Sequence, residues 1–165
     1  MSAFVIDAFE FCRVRERREG EIKVSDLPRL AKESVDQGGA VYWSLQGGID
    51  GRGNPRLSLS INGTIDLICQ RCLTPFAFGI ASESLLLLAR DEASADEMDA
   101  LLEDETVEVI VGSSEFNIAE LVEDEALLAI PLSPKHASCP VELAPTLTEK
   151  EAKVSPFAVL GKLKQ

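Results

Sequence analysis

The clearest periodicity in the chain runs from Leu57 to Leu67. Leu57, Leu59, Ile61, Gly63, Ile65 and Leu67 fall on one side of a two-residue repeat, with Ser58, Ser60, Asn62, Thr64 and Asp66 on the other. That alternation predicts a strand with one face in the core and one in water. Asn62-Gly63 ordinarily signals a two-residue hairpin. Here such a turn would pair Ile61 with Thr64 and Leu59 with Asp66, mixing apolar and polar side chains on one face. One long strand, bent or bulged at Gly63, keeps every apolar side chain on the core side and is the expectation. Further on, Phe76, Phe78 and Ile80 alternate with Ala77, Gly79 and Ala81, and an apolar run Leu85–Leu88 follows. The two strands predict a long hairpin with Cys69–Pro75 at its tip and Gln70 and Arg71 exposed at the apex.

The flanking segments fit around that hairpin. Val41, Trp43 and Leu45 alternate with polar neighbours as a half-buried strand, and a glycine-rich loop is expected from Gly47 to Pro55. Its glycines do not link a strand to a helix, so a phosphate-binding loop is rejected. Ile22 and Val24 predict a short strand. Ser25 suits a helix cap, with Asp26 and Pro28 in the first turn and Leu27, Leu30, Ala31 and Val35 as the stripe, ending at Gly38-Gly39. A short helix is expected around Met98, Leu101 and Leu102, then a strand Thr106–Val111 with its valines inward. Asn117 and Glu120 form a capping-box pattern ahead of Ile118, Leu121, Val122, Ala126 and Ala129, with Leu127 and Leu128 widening the stripe up to Pro131. Residues 131–140 are too rich in proline for regular structure and are free to fold back toward the hairpin. Residues 141–154 read as a polar linker and 155–164 as a short docking helix. The expected fold is α+β, an antiparallel sheet or partly open β-barrel packed with a few short helices, in a single domain over residues 1–165.

Charge changes this picture in one place. The net charge is −12, yet residues 91–125 hold 14 acidic side chains and no Lys or Arg, leaving 14 acids against 16 bases elsewhere. An almost neutral body thus carries one acidic segment, which disfavours broad attraction to a phosphate backbone. Basic side chains that remain available for RNA or a partner are Arg13, Arg15, Arg17 and Arg18 near the start, Arg71 at the hairpin apex, and Lys162 and Lys164 at the end. Glu123, Asp124 and Glu125 offer either a solvated face or a docking surface for a basic partner. No apolar run approaches the ~20 residues of a membrane span, and the first residues lack a secretory leader. A cytoplasmic protein is expected, with neither membrane nor DNA among its partners.

In a reducing compartment a cysteine pattern reads first as metal-binding or redox-active. Cys69-Gln70-Arg71-Cys72 is half of a tetrahedral site, and His136-Ala137-Ser138-Cys139 repeats the spacing. Cys69, Cys72, His136 and Cys139 make a Cys3His set with three readings: one structural zinc, adjacent free thiols, or a redox pair. No further cofactor is expected. Cys12 stands alone and reads as a buried or idle thiol.

Cys69-Gln70-Arg71-Cys72-Leu73-Thr74-Pro75-Phe76, the helix Glu120–Pro131 and the closing Pro156-Phe157-Ala158-Val159-Leu160 occur in that order. Together with Ile6-Asp7 and Leu27-Pro28-Arg29-Leu30-Ala31, they resemble the YceD family, the large ribosomal RNA subunit accumulation proteins. The resemblance implies a non-enzymatic factor in synthesis, processing or stability of large-subunit (23S) ribosomal RNA. It implies as partners that RNA or its precursor and ribosomal or RNA-processing proteins. A metal-dependent RNA hydrolase using Glu123, Asp124 and Glu125 is the competing expectation, and a zinc-stabilised adaptor unrelated to ribosomes is a third. Consecutive helical carboxylates point about 100° apart, which argues against the hydrolase.

Overall fold

The computed structural model describes residues 4–104 and 106–140. In chain order the elements are β1 (Val5–Ile6), α1 (Ala8–Arg13), β2 (Arg17–Lys23), a 3-10 turn (Val24–Asp26), α2 (Pro28–Glu33), β3 (Ala40–Ile49), β4 (Pro55–Ile68), β5 (Pro75–Ala89), α3 (Glu92–Ala100), β6 (Val107–Val111), β7 (Phe116–Asn117) and α4 (Ile118–Ala129). Strands β2-β3-β4-β5-β6 form one open sheet, and β1 pairs with β7 in a small second one. The architecture is α+β. The sheet does not close into a barrel, and its one parallel joint is β5 with β6.

The long strand forms as the alternation requires. Strand β4 runs 14 residues with Leu57, Leu59, Ile61, Ile65 and Leu67 buried. Val41, Trp43 and Leu45 of β3 lie on the same face, and Phe11 of α1 and Ile118, Val122 and Ala126 of α4 complete the core. Strand β4 carries no bulge at Gly63. Register is one-to-one through Val41↔Gly63 on one side and Gly63↔Ile80 on the other. Glycine is needed there for another reason: a Cβ would lie 2.5 Å from the Ala40 carbonyl oxygen.

Gly47 corrects a second expectation. Gly47, Gly48 and Ile49 continue β3, and the loop shrinks to residues 50–54. A Cβ on Gly47 would meet the Phe11 carbonyl oxygen at 2.4 Å, so α1 can sit against β3 only where that side chain is missing. Helix α1 was not foreseen. At six residues it cannot be stable alone; the Asp7 carboxylate caps it by accepting from the Phe9 and Glu10 amides, both at 3.0 Å.

Three further corrections concern the helices and the edge. Helix α2 starts at Pro28 rather than at Ser25, which lies in the 3-10 turn, and it stops before Ser34, leaving Val35 exposed. Leu128 is 73% exposed, so it does not widen the buried stripe of α4. Strand β6 pairs Leu87 with Val109 and Leu88 with Ile110. That register puts Val107, Val109 and Val111 on the face opposite the main core, with Val107 and Val109 half-buried and Val111 exposed, and only Ile110 reaches the main cluster. The end of the chain, with the expected linker 141–154 and docking helix 155–164, lies outside the described residues.

Candidate metal centre

Cys69 and Cys72 sit in the reversal between β4 and β5. The turn is closed by the Cys69 amide donating to the Thr74 carbonyl (3.0 Å) and the Leu73 amide to the Cys69 carbonyl (2.8 Å). Leu73 takes a left-handed φ of 59°, a conformation that costs a side-chain-bearing residue on the order of 1 kcal/mol. The turn bends both thiols to one side. After α4 ends at Ala129, just before Pro131, the chain returns to this tip, and the Gln70 amide donates to the Pro134 carbonyl at 2.8 Å. The expected fold-back is therefore present.

Four ligand atoms converge there. The sulfurs of Cys69, Cys72 and Cys139 and a ring nitrogen of His136 all lie within 4.8 Å of one another. Cys69 and Cys139 sulfurs are 3.8 Å apart. A disulfide would need ~2.05 Å. Two thiolates on a tetrahedral zinc with Zn–S of ~2.3 Å stand about 3.8 Å apart. Cys72 Sγ is 3.3 Å from His136 Nδ1, near the about 3.6 Å edge that a sulfur and an imidazole nitrogen span on the same ion. The four side chains fit a closed, four-coordinate metal.

The surroundings favour thiolate at Cys69. Burial pushes the Cys69 thiol up, but the backbone N–H groups of Cys72, His136 and Arg71 and the His136 side chain outweigh it, bringing the pKa down to about 5. At Cys139 burial, joined by the neighbouring Cys72 and Cys69 sulfurs, holds the thiol above its usual value although the Arg71 guanidinium pulls the other way. Arg71 Nε donates to Cys139 Sγ at 3.1 Å while its second arm donates to the His136 carbonyl at 2.9 Å. Three thiolates around a divalent ion carry one net negative charge, which this guanidinium neutralises. Thr74 Oγ1 lies 3.1 Å from Cys72 Sγ, and the Phe76 ring packs 4.9 Å from the imidazole. Sequence reasoning missed the roles of Thr74 and Phe76, although both belong to the same eight-residue motif as Arg71.

A profile of the family described as large ribosomal RNA subunit accumulation protein YceD matches residues 57–164. The large ribosomal RNA subunit accumulation protein YceD of Haemophilus influenzae is 30% identical over 156 residues, covering 88% of this chain and 86% of that relative. The chain belongs to the YceD family. No solved structure matches it. The matched stretch of the YceD profile begins with β4, so it takes in the hairpin, α4 and the returning segment that build the cluster.

The other candidate residues of this YceD protein do not form one patch. Arg13, Arg17 and Arg18 pair with Glu10, Glu19 and Glu16, and Arg18 also lies over the Phe11 ring at 5.8 Å. Arg15 is exposed in a tight reversal with φ 54°. Arg17 aligns across the sheet with Gln46 and Ser58, ten residues of β4 from the tip, which puts it about 30 Å from Arg71. Lys162 and Lys164 lie outside the described residues. The acidic trio is divided as well. Glu123 is 3% exposed and turned inward, so it is no part of an exposed acidic surface. It accepts from the Arg29 amide (2.6 Å), the Leu30 amide (3.1 Å) and Arg29 Nε (2.8 Å). Asp124 pairs with the same guanidinium at 2.5 Å, and Glu125 accepts from the Ser82 hydroxyl.

Proposed function

We propose that this protein is a non-enzymatic ribosome-biogenesis factor of the cytoplasm that supports accumulation of large-subunit ribosomal RNA. The observation that carries the reading is its place in the YceD family, whose curated relative bears that function in its name. Its Cys3His centre holds one structural zinc, coordinated wholly by protein with no position left for a substrate. The metal clips residues 134–139 to the hairpin tip and does no chemistry itself. The hydrolase reading finds its carboxylates dispersed: Glu123 is turned inward onto α2, Asp124 pairs with Arg29, and Glu125 faces Ser82. Broad RNA binding has little to stand on, because Arg13, Arg17 and Arg18 are paired with acids and Arg71 faces the sulfurs. Protein partners with limited RNA contact suit this surface best. Among the described residues no helix is long and apolar enough to cross a membrane.

Deleting the protein from its host should lower mature large-subunit RNA relative to the small subunit and leave large-subunit precursors in gradient profiles. Ribosome profiles unchanged by the deletion would refute the assignment.

A further inference from the structure

Strand β5 is 15 residues long, yet β6 covers only its last five, Leu85–Ala89. The hydrogen-bonding phase of the remainder follows from the tip. Cys69 donates to the Thr74 carbonyl, so Phe76, Phe78, Ile80 and Ser82 direct their backbone groups at β4 in the unbroken register that follows. Ala77, Gly79, Ala81 and Glu83 therefore direct theirs outward, in phase with the Ala89 carbonyl that accepts from Gly112 on that side. Among the described residues no strand or backbone hydrogen bond takes these groups up, and all four residues are exposed. The edge is some seven residues, about 23 Å, long.

Unpaired edges are ordinarily blunted by proline, lysine or a bulge. From Phe76 to Ala89 there is no Pro, Lys or Arg, and the register holds no bulge. Side chains of Ala77, Gly79 and Ala81 are also too small to hold a neighbour off. Where the edge meets β6, a cleft of about 370 Å³ opens between β5, β6 and the end of α4. Glu83, Glu108 and Glu125 line it beside the exposed Leu128, and the buried Ser84 hydroxyl next to them has no partner. No Lys or Arg occurs at positions 72–89 or 91–134.

We propose that this edge is a docking site for an extended segment of a basic protein. The segment adds a strand along Ala77–Glu83 and sets a Lys or Arg side chain over Glu108 and Glu125. Backbone pairing supplies affinity, and the acidic cleft selects the partner's charge. RNA is repelled by the same carboxylates, and a second copy of this edge brings no cation to them. The inference rests on the protein-partner reading above and names the class of partner.

The test titrates the full-length, isotope-labelled protein with an octapeptide alternating lysine and valine, and with its glutamate counterpart. The expected result is shifted amide signals and at least ten-fold slower hydrogen exchange at Ala77, Gly79, Ala81 and Glu83 with the lysine peptide only. Gly79→Pro removes an outward N–H and no bond to β4, and should weaken binding at least ten-fold. The pair Glu108→Gln and Glu125→Gln, which leaves the backbone untouched, should weaken the lysine peptide to a similar degree. The proposal falls if those amides already exchange slowly in the free protein, since a second copy or the protein's own chain then covers the edge. It also falls if the peptide fails to bind, if RNA alone protects the edge, or if both variants bind normally. A strain carrying Gly79→Pro separates the two claims. Normal ribosomes there, with defective ones in the deletion, overturn the edge and keep the function.

Discussion

Glu123 stands in the middle of an acidic run and faces the protein. Its carboxylate receives two amides at the start of α2, where the first N–H groups of a helix have no partner of their own. It thus does for α2 what Asp7 does for α1, from 94 residues away rather than one. Burial pushes its carboxyl up, but the Leu30 and Arg29 amides and the Arg29 guanidinium more than offset this, holding it below the usual 4.5. A depressed carboxyl stabilises the fold above its unfolded value and loses that contribution as pH falls through the folded one. Wild-type stability should therefore decline below about pH 4.5, and Glu123→Gln should flatten that part of a urea-unfolding series taken across pH. Glu123→Ala, which strands both amides, should cost roughly 2–3 kcal/mol in the same measurement at neutral pH.

At the scale of elements, the sheet was legible because its residues alternate with a period of two and the parity of Asn62-Gly63 decided between two topologies. The cysteine cluster was legible from two equal spacings. What could not be read has one physical cause: elements whose form is set by what lies against them. Gly47 looks like loop composition, yet it is a strand residue whose missing side chain admits α1. Ser25 looks like a cap, yet the cap of α2 comes from α4, a contact that local sequence does not contain. Val107 and Val109 alternate like core residues, and only the parallel register shows that they face away from the main core. Gly47→Ala tests the first of these. Its methyl group would meet backbone rather than a movable side chain, so a loss of about 1–3 kcal/mol is expected from chemical unfolding. Asn117→Ala, which removes the acceptor of the Ala119 amide at the head of α4, should cost about 1 kcal/mol.

For the whole molecule, the metal centre joins the middle hairpin to the segment that leaves α4. Protein purified without chelator should carry one zinc per chain, and Cys139→Ser should lower that content while the sheet keeps its far-ultraviolet signature. Metal analysis finding none in native preparations would leave the cluster as free thiols, with the about 5 pKa of Cys69 then marking a reactive one. Removing zinc with a strong chelator should lower the melting temperature, since binding free energy at such a site is also folding free energy.

The hairpin tip carries a mechanical consequence. Strand β3 reaches no further along β4 than Gly63, and β6 no further along β5 than Leu85, so the outer hairpin has no further strand neighbour and is held by its core face, where Ile65, Leu67 and Ile80 are buried. Among the described residues its hydrogen-bonded braces outside the hairpin are the Val35 amide on the Asp66 carbonyl, the Ser82 hydroxyl on Glu125, and the sulfur-imidazole clasp with its Pro134 bond. With the rest still anchored by its buried face, withdrawing the ion loosens the tip beyond Leu67. Its outer amides should then open locally while the body of the sheet keeps its full protection.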